Sequence, residues 1–145
     1  MKKFEDFLKK GDVRKQARDL NLANALIKSS EKSVRNIMRT TVDDLNAESL
    51  LSEIYDAIRE IIDSILSLGG YKSYSHEASI LFLERFSDIS ESERLFLDNL
   101  RKVRNGIKYY GKEIDSIEVK KVMGFMDLIL PKLYKILETV RSYEK

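Results

Sequence analysis

The 145-residue chain is 43% apolar and 34% charged, carries a net charge of only +2, and contains no Cys, no Trp, one Pro and one His. That length supports one domain with its own core, and the composition is too apolar for disorder. Without Cys there are no disulfide staples, thiol nucleophiles or zinc–thiolate sites, and one Pro with six Gly gives too few turns for a β-sandwich or barrel.

The opening Met1-Lys2-Lys3-Phe4-Glu5-Asp6 carries acids and no apolar stretch, so no signal peptide is expected. Uninterrupted apolar runs, such as Ile80-Leu81-Phe82, are too short for a membrane span, and cytoplasm is the default compartment. A short basic helix is predicted at residues 2–10. A long helix follows over residues 13–39, with a weak apolar stripe of Leu20, Ala23, Ile27, Val34, Ile37 and Met38. After the polar connection at residues 40–45, Asn46 is an N-cap type. From there Leu51, Ile54, Ile58, Ile61, Ile65 and Leu68 step by three and four to a glycine close at Gly69-Gly70.

Ser75 is the predicted N-cap of a shorter helix. Ser90 starts a longer one, with Glu93 completing a Ser-x-x-Glu capping box. In that helix Leu100, Val103, Ile107 and Tyr110 form the expected buried stripe, and Gly111 can end it. The last helix buries Val119, Val122, Met126, Ile129, Leu133, Ile136 and Val140, with Pro131 inside it to kink it or remove one hydrogen bond. Short connections favour antiparallel neighbours, so the expected fold is all-α, one domain over residues 1–145, an up-and-down antiparallel bundle of about five helices. The same spacing fits a coiled coil, but Gly and Ser loops between helices favour a compact bundle, with one apolar face left for a second subunit.

Charge is uneven along the chain. Residues 1–39 hold eleven Lys/Arg against five Asp/Glu, residues 43–63 hold seven acids against Arg59 alone, and residues 101–112 hold five bases and no acid. Solvated helix faces account for such patterns; so does attraction of a polyanion or an acidic partner.

Residue inventory removes most chemistries. One His cannot build a metal cluster, and no metal or cofactor is expected. There is no Gly-x-Ser-x-Gly elbow to serve a serine nucleophile, and no Gly-x-x-x-x-Gly-Lys phosphate loop. Glu53, Asp56, Glu60 and Asp63 read as one exposed stripe, solvated or partner-facing, and the Glu-x-x-His pairs of a diiron bundle are absent. The segment Arg101-Lys102-Val103-Arg104-Asn105-Gly106-Ile107-Lys108-Tyr109-Tyr110-Gly111 remains. On a helix Arg101, Arg104 and Lys108 share a face, and like charges so spaced repel unless an anion or acidic partner relieves them. Asn105 and Gly106 are weak helix formers at mid-helix. One account is that Gly106 lets another helix approach while the bases stay solvated; the other is a binding face.

These residues resemble the HEPN superfamily of small helical-bundle proteins, whose hallmark is Arg-x4–6-His, often Arg-Asn-x-x-x-His. Arg104-Asn105-Gly106-Ile107-Lys108 matches, with Tyr109 where the His is expected, and Tyr110-Gly111 resembles a Tyr-Tyr-Gly ending. Gly70-Tyr71-Lys72-Ser73-Tyr74-Ser75-His76-Glu77-Ala78 looks like the family's loop-to-helix segment with Lys and Ser/Thr-His. The resemblance spans residues 14–140 in helix order, though its motifs cover only about fifteen residues. It implies a dimer whose motif residues meet across a cleft: a metal-independent ribonuclease in active members, a partner of a minimal nucleotidyltransferase in others, or a non-catalytic module. Cleavage by a ribose 2′-hydroxyl needs a proton acceptor and a cation for the phosphate. The resemblance assigns the cation to Arg104 and orientation to Asn105. A phenol, with an ordinary pKa near 10, falls about three units short of a useful base at pH 7, a roughly thousandfold penalty; Tyr109 therefore points to binding over cleavage.

Three functions are thus expected in turn. The first is a binding module holding RNA, a nucleotide or a partner protein through Arg101, Arg104, Asn105 and Lys108, with Tyr110 and His76 beside them. The second is a toxin-like endoribonuclease with Arg104, Asn105 and Tyr109 as its catalytic set, His76 standing in as base if folding brings it close. The third is a structural interaction bundle.

Overall fold

The computed structural model describes residues 2–142. Among them the order is α1 (Phe4–Lys10), β1 (Val13–Lys15), α2 (Leu20–Arg39), α3 (Ala47–Leu68), β2 (Tyr71–Ser73), α4 (His76–Phe82), a 3-10 turn (Leu83–Arg85), α5 (Glu91–Tyr110) and α6 (Ser116–Ser142). The architecture is all-α apart from the two short strands.

α3 is the hub. Its predicted stripe is buried in full, and Leu50, Tyr55, Ala57, Ile62 and Leu66 are buried too. A helix apolar nearly all round must be enclosed by others, and each fully buried Ile or Leu contributes about 1.5–3 kcal/mol. α2 lies antiparallel to it. Ser67 donates to the Asp19 carbonyl at 2.9 Å, buried Ser30 to the Ala57 carbonyl at 2.7 Å, and Asn36 to Glu53 at 2.9 Å. α6 runs parallel to α3: Ser116 at its start donates to Asp44, while Arg18 donates to both Leu68 and Val140 carbonyls at the far ends. α5 opposes α6, with Lys132–Glu93 at 2.8 Å and Phe96 stacked on Phe125 at 4.1 Å. The four long helices therefore alternate in direction, reversed by short loops at residues 40–46 and 111–115 and, between α3 and α5, by the longer segment that carries β2 and α4.

Local caps follow the sequence. Ser75 accepts from Ala78 N–H, the Ser90–Glu93 box closes both ways, and Gly111 ends α5 in the left-handed conformation at φ 65°. Asn46 marks the start of α3 but caps no helical N–H; its amide instead staples the preceding loop, accepting from Asp43 N–H and donating to the Thr41 carbonyl. α6 continues through Pro131, which sits on the exposed side.

Several sequence expectations are corrected. Residues 13–19 are not helical: Val13–Lys15 pairs antiparallel with Tyr71–Ser73, Val13 opposite Ser73, and α2 begins only after Asp19, which accepts from Leu22 N–H at 2.9 Å. The helix count agrees with expectation: with the short α1 and α4, both expected, the described helices number six, in keeping with a bundle of about five. Tyr110, expected in the core, is 86% exposed, and Leu20 and Met38 also face outward. Each lies at the end of its helix, where the stripe runs past its neighbours. Among the described residues no second helix approaches Gly106; a Cβ there meets only the Lys112 side chain.

Candidate functional site

α3, α4 and α5 meet around a cluster of three guanidiniums, three carboxylates, one imidazole and one phenol. α3 supplies Tyr55, Asp56, Arg59 and Asp63, whose spacing puts the three charged groups one turn apart on the side toward α4 and α5. α4 opens with His76, held at the helix start by the Ser75 cap, and adds Ser79. α5 supplies Asp98, Arg101 and Arg104.

Arg104 Nη2 lies 3.4 Å from Asp56 Oδ1, and Arg59 Nε lies 3.8 Å from the same oxygen. Arg59 Nη1 donates to Asp63 Oδ2 at 3.1 Å, and Ser79 donates to the other Asp63 oxygen at 3.3 Å. Arg101 donates through Nη2 at 2.8 Å and Nε at 2.9 Å to Asp98 Oδ1, leaving Oδ2 to Lys102 at 3.4 Å. Both α5 arginines are largely enclosed, their side chains 17% and 13% exposed at 101 and 104. Nε of Arg59 and of Arg104 are buried without a hydrogen-bond acceptor; the 3.8 Å contact of Arg59 to Asp56 is Coulombic and too long for a bond. An unmade bond on a buried donor costs about 1–3 kcal/mol.

The titratable groups respond to this setting. Burial holds the His76 pKa below its ordinary value; Arg59 and Arg104 push the same way, against Asp56. His76 is thus a neutral imidazole at pH 7, its ring 6.0 Å from that of Tyr55. Burial raises the Tyr55 phenol against the pull of Arg59 and Arg101, keeping it protonated. Burial also raises Asp63, opposed first by Arg59.

The predicted residues divide. Arg101, Arg104 and His76 belong to one cluster: the imidazole lies within electrostatic reach of Arg59, Arg104 and Arg101. Tyr109 and Tyr110 do not join them: they are 64% and 86% exposed, and Tyr109, five residues on, points about 140° around the helix from Arg104. Lys108 is exposed and lies 5.4 Å over the Tyr109 ring. Asn105 is half-buried and makes no side-chain hydrogen bond among the described residues. The shared basic face of Arg101, Arg104 and Lys108 is therefore corrected: the two arginines turn inward onto acids while the lysine turns to water. The exposed acidic stripe is corrected as well, because Asp56 and Asp63 serve the arginines and Glu53 accepts from Asn36. Tyr55, Asp56, Arg59, Asp63 and Asp98 were not among the sequence candidates. The usable signal was Arg59, the lone base of an acidic helix, at i+3 from Asp56 and i−4 from Asp63.

Among the described residues no cluster of His and carboxylates is arranged to hold a metal, and no helix is long and apolar enough to cross a membrane. Comparison with protein-family models and with curated proteins found no match.

Proposed function

We propose that the α3–α4–α5 cluster binds phosphate groups of RNA or of a nucleotide, in a HEPN-like bundle that is a catalytically degenerate relative of the family's ribonucleases and works as a dimer. One observation carries the reading. Arg59 and Arg104 share a single carboxylate oxygen, and each keeps a buried Nε–H with no acceptor. A phosphate offers several acceptor oxygens in the geometry a guanidinium fork fits. Asp56 stands as the intramolecular anion that such a ligand displaces or adjoins. Pairing with a second copy, or with a nucleotidyltransferase-type protein, belongs to the same proposal. Leu95, Phe96 and Leu128 supply exposed apolar surface for it outside the cluster.

The test is a labelled single-stranded RNA titrated across salt concentrations. Binding that weakens with salt and drops at least tenfold in Arg104→Ala supports the proposal; binding indifferent to that substitution refutes it. A second reading, metal-independent endoribonuclease activity, is favoured by a neutral imidazole coupled to Arg104, since a general base must be unprotonated at working pH. Cleavage persisting in EDTA and abolished in His76→Ala would establish it. Intact RNA after prolonged incubation would leave the binding module.

A further inference from the structure

The basic opening segment, residues 1–39, supplies nothing to the Arg104 cluster, and in the fold four of its cations line up on α2. Lys28, Lys32, Arg35 and Arg39 follow one another at spacings of four, three and four, which confines them to an arc of about 60° over about 16 Å of helix. They stand opposite the buried Ala23, Ser30 and Ile37, so the row faces straight outward, and all four are exposed. Arg141 of α6 donates to Asn24 at 2.9 Å and sets a fifth exposed cation at the N-terminal end of the row.

Like charges three and four residues apart repel, and a merely solvated helix face relieves them with acids in between. Here α2 holds a single acid, Glu31, which lies within electrostatic reach of the Tyr134 phenol on α6. None of the four cations forms an ion pair, with Glu31 or any other acid, among the described residues. The arc also carries no large apolar side chain. Asn21, Asn24 and Ala25 continue it, and the exposed Leu20 and Met38 stand about a quarter turn aside. A protein partner needs an apolar centre to its interface, where lysine is depleted. A membrane surface needs an exposed apolar helix face, whereas α2 buries its own against α3. Nucleic-acid interfaces are polar and strongly positive, which is the character of this row.

We propose that the outward face of α2 is a track for the sugar–phosphate backbone of an RNA strand, with Lys28, Lys32, Arg35 and Arg39 each taking a phosphate. About 16 Å spans about five phosphates of a stacked strand, which leaves room for all four contacts. The track is blind to sequence, because phosphate contacts position a strand and only base edges specify it. The inference rests on the reading that the chain binds RNA for its class of ligand, but not on the Arg104 cluster, which is built from α3, α4 and α5 alone.

The experiment is the affinity of the full chain for labelled oligouridylate across salt concentrations. Each phosphate contact adds about 0.7 to the slope of log K against log salt for a single strand. Lys28→Gln, Lys32→Gln, Arg35→Gln and Arg39→Gln together should flatten that slope by roughly 2.8, and each half of the set by roughly 1.4. Gln is as good a helix former as the residues it replaces, so an unchanged thermal melt is expected beside the lost affinity. Arg35→Lys with Arg39→Lys should keep the slope, since a point charge serves one phosphate. Arg104→Ala should move the slope by no more than about 0.7, which separates failure of the cluster from failure of the track. A folded fourfold variant that changes the slope by no more than one contact's worth overturns the proposal. So does displacement of the RNA by polyglutamate, or by vesicles of phosphatidylserine and phosphatidylcholine, as readily as by unlabelled RNA of equal charge: the row would then belong to an acidic protein or a membrane. Oligouridylate that never binds overturns this inference and the RNA reading together.

Discussion

Asp56 is the most informative residue to change, because one of its oxygens lies 3.4 Å from Arg104 Nη2 and 3.8 Å from Arg59 Nε. If a phosphate takes the far side of the Arg104 guanidinium, it stands about 7 Å from that carboxylate, and at an effective dielectric of about 20 the repulsion is roughly 2.4 kcal/mol. Neutralising the carboxylate should then tighten binding by roughly fiftyfold at low salt. At physiological ionic strength the Debye length is about 8 Å, which cuts the gain to about fivefold. Asp56→Asn keeps the side chain's size and its ability to accept from Arg104. The Asp56 side chain is 37% exposed, so the stability cost is on the order of 1 kcal/mol. Fluorescence anisotropy with labelled RNA at two salt concentrations, beside a thermal melt, measures both effects. If the folded variant binds more weakly, or equally at both salts, the anion does not reach Arg104 and the reasoning fails.

Three further predictions concern the groups around this site. His76, the single histidine, sits below its ordinary pKa through burial; the unfolded chain, near 6.5, takes the proton more readily, so this stabilisation is complete above about pH 6.5 and is lost as pH falls below it. Its imidazole proton resonance should titrate with a midpoint under that value, and His76→Gln should flatten the melting temperature between pH 5 and 7; a midpoint above about 6.5 contradicts the burial argument. Gly106→Ala should stabilise the protein by about 0.5–1 kcal/mol, since only the mobile Lys112 side chain must give way, and a destabilised melt would show that something larger packs there. Arg85 has its guanidinium carbon 5.0, 5.2 and 4.6 Å from the ring centroids of Phe4, Tyr71 and Phe82. Arg85→Ala should loosen α1 by about 1 kcal/mol, seen as roughly fivefold faster amide exchange at residues 4–10; unchanged exchange would remove the clamp.

The elements legible in the sequence are those whose causes lie within one or two helical turns. The three-four rhythm of α3 and α6 named residues that are all buried, while Ile62 and Leu66 of α3 and Leu130 and Leu137 of α6, outside that rhythm, are buried because neighbours enclose these helices on more than one side. The caps at Ser75, Ser90 and Gly111 were readable because a cap bond closes within a few residues of its donor. Arg101, Arg104 and His76 could each be singled out by type and position.

Their meeting was decided by the tertiary structure alone. A three-residue strand such as Val13–Lys15 carries too little pattern to outweigh the helical signal after it, and its partner, Tyr71–Ser73, lies beyond two long helices. The charge of Asp56 is written in the chain, but whether it meets water or Arg104, 48 residues away, depends on how α5 crosses α3. The packing of α4 against α3 and α5 brought His76 within electrostatic reach of the guanidiniums, and Tyr109 stayed in solvent. Local periodicity fixes which face of a helix leaves water, while only packing fixes which polar groups that burial brings face to face.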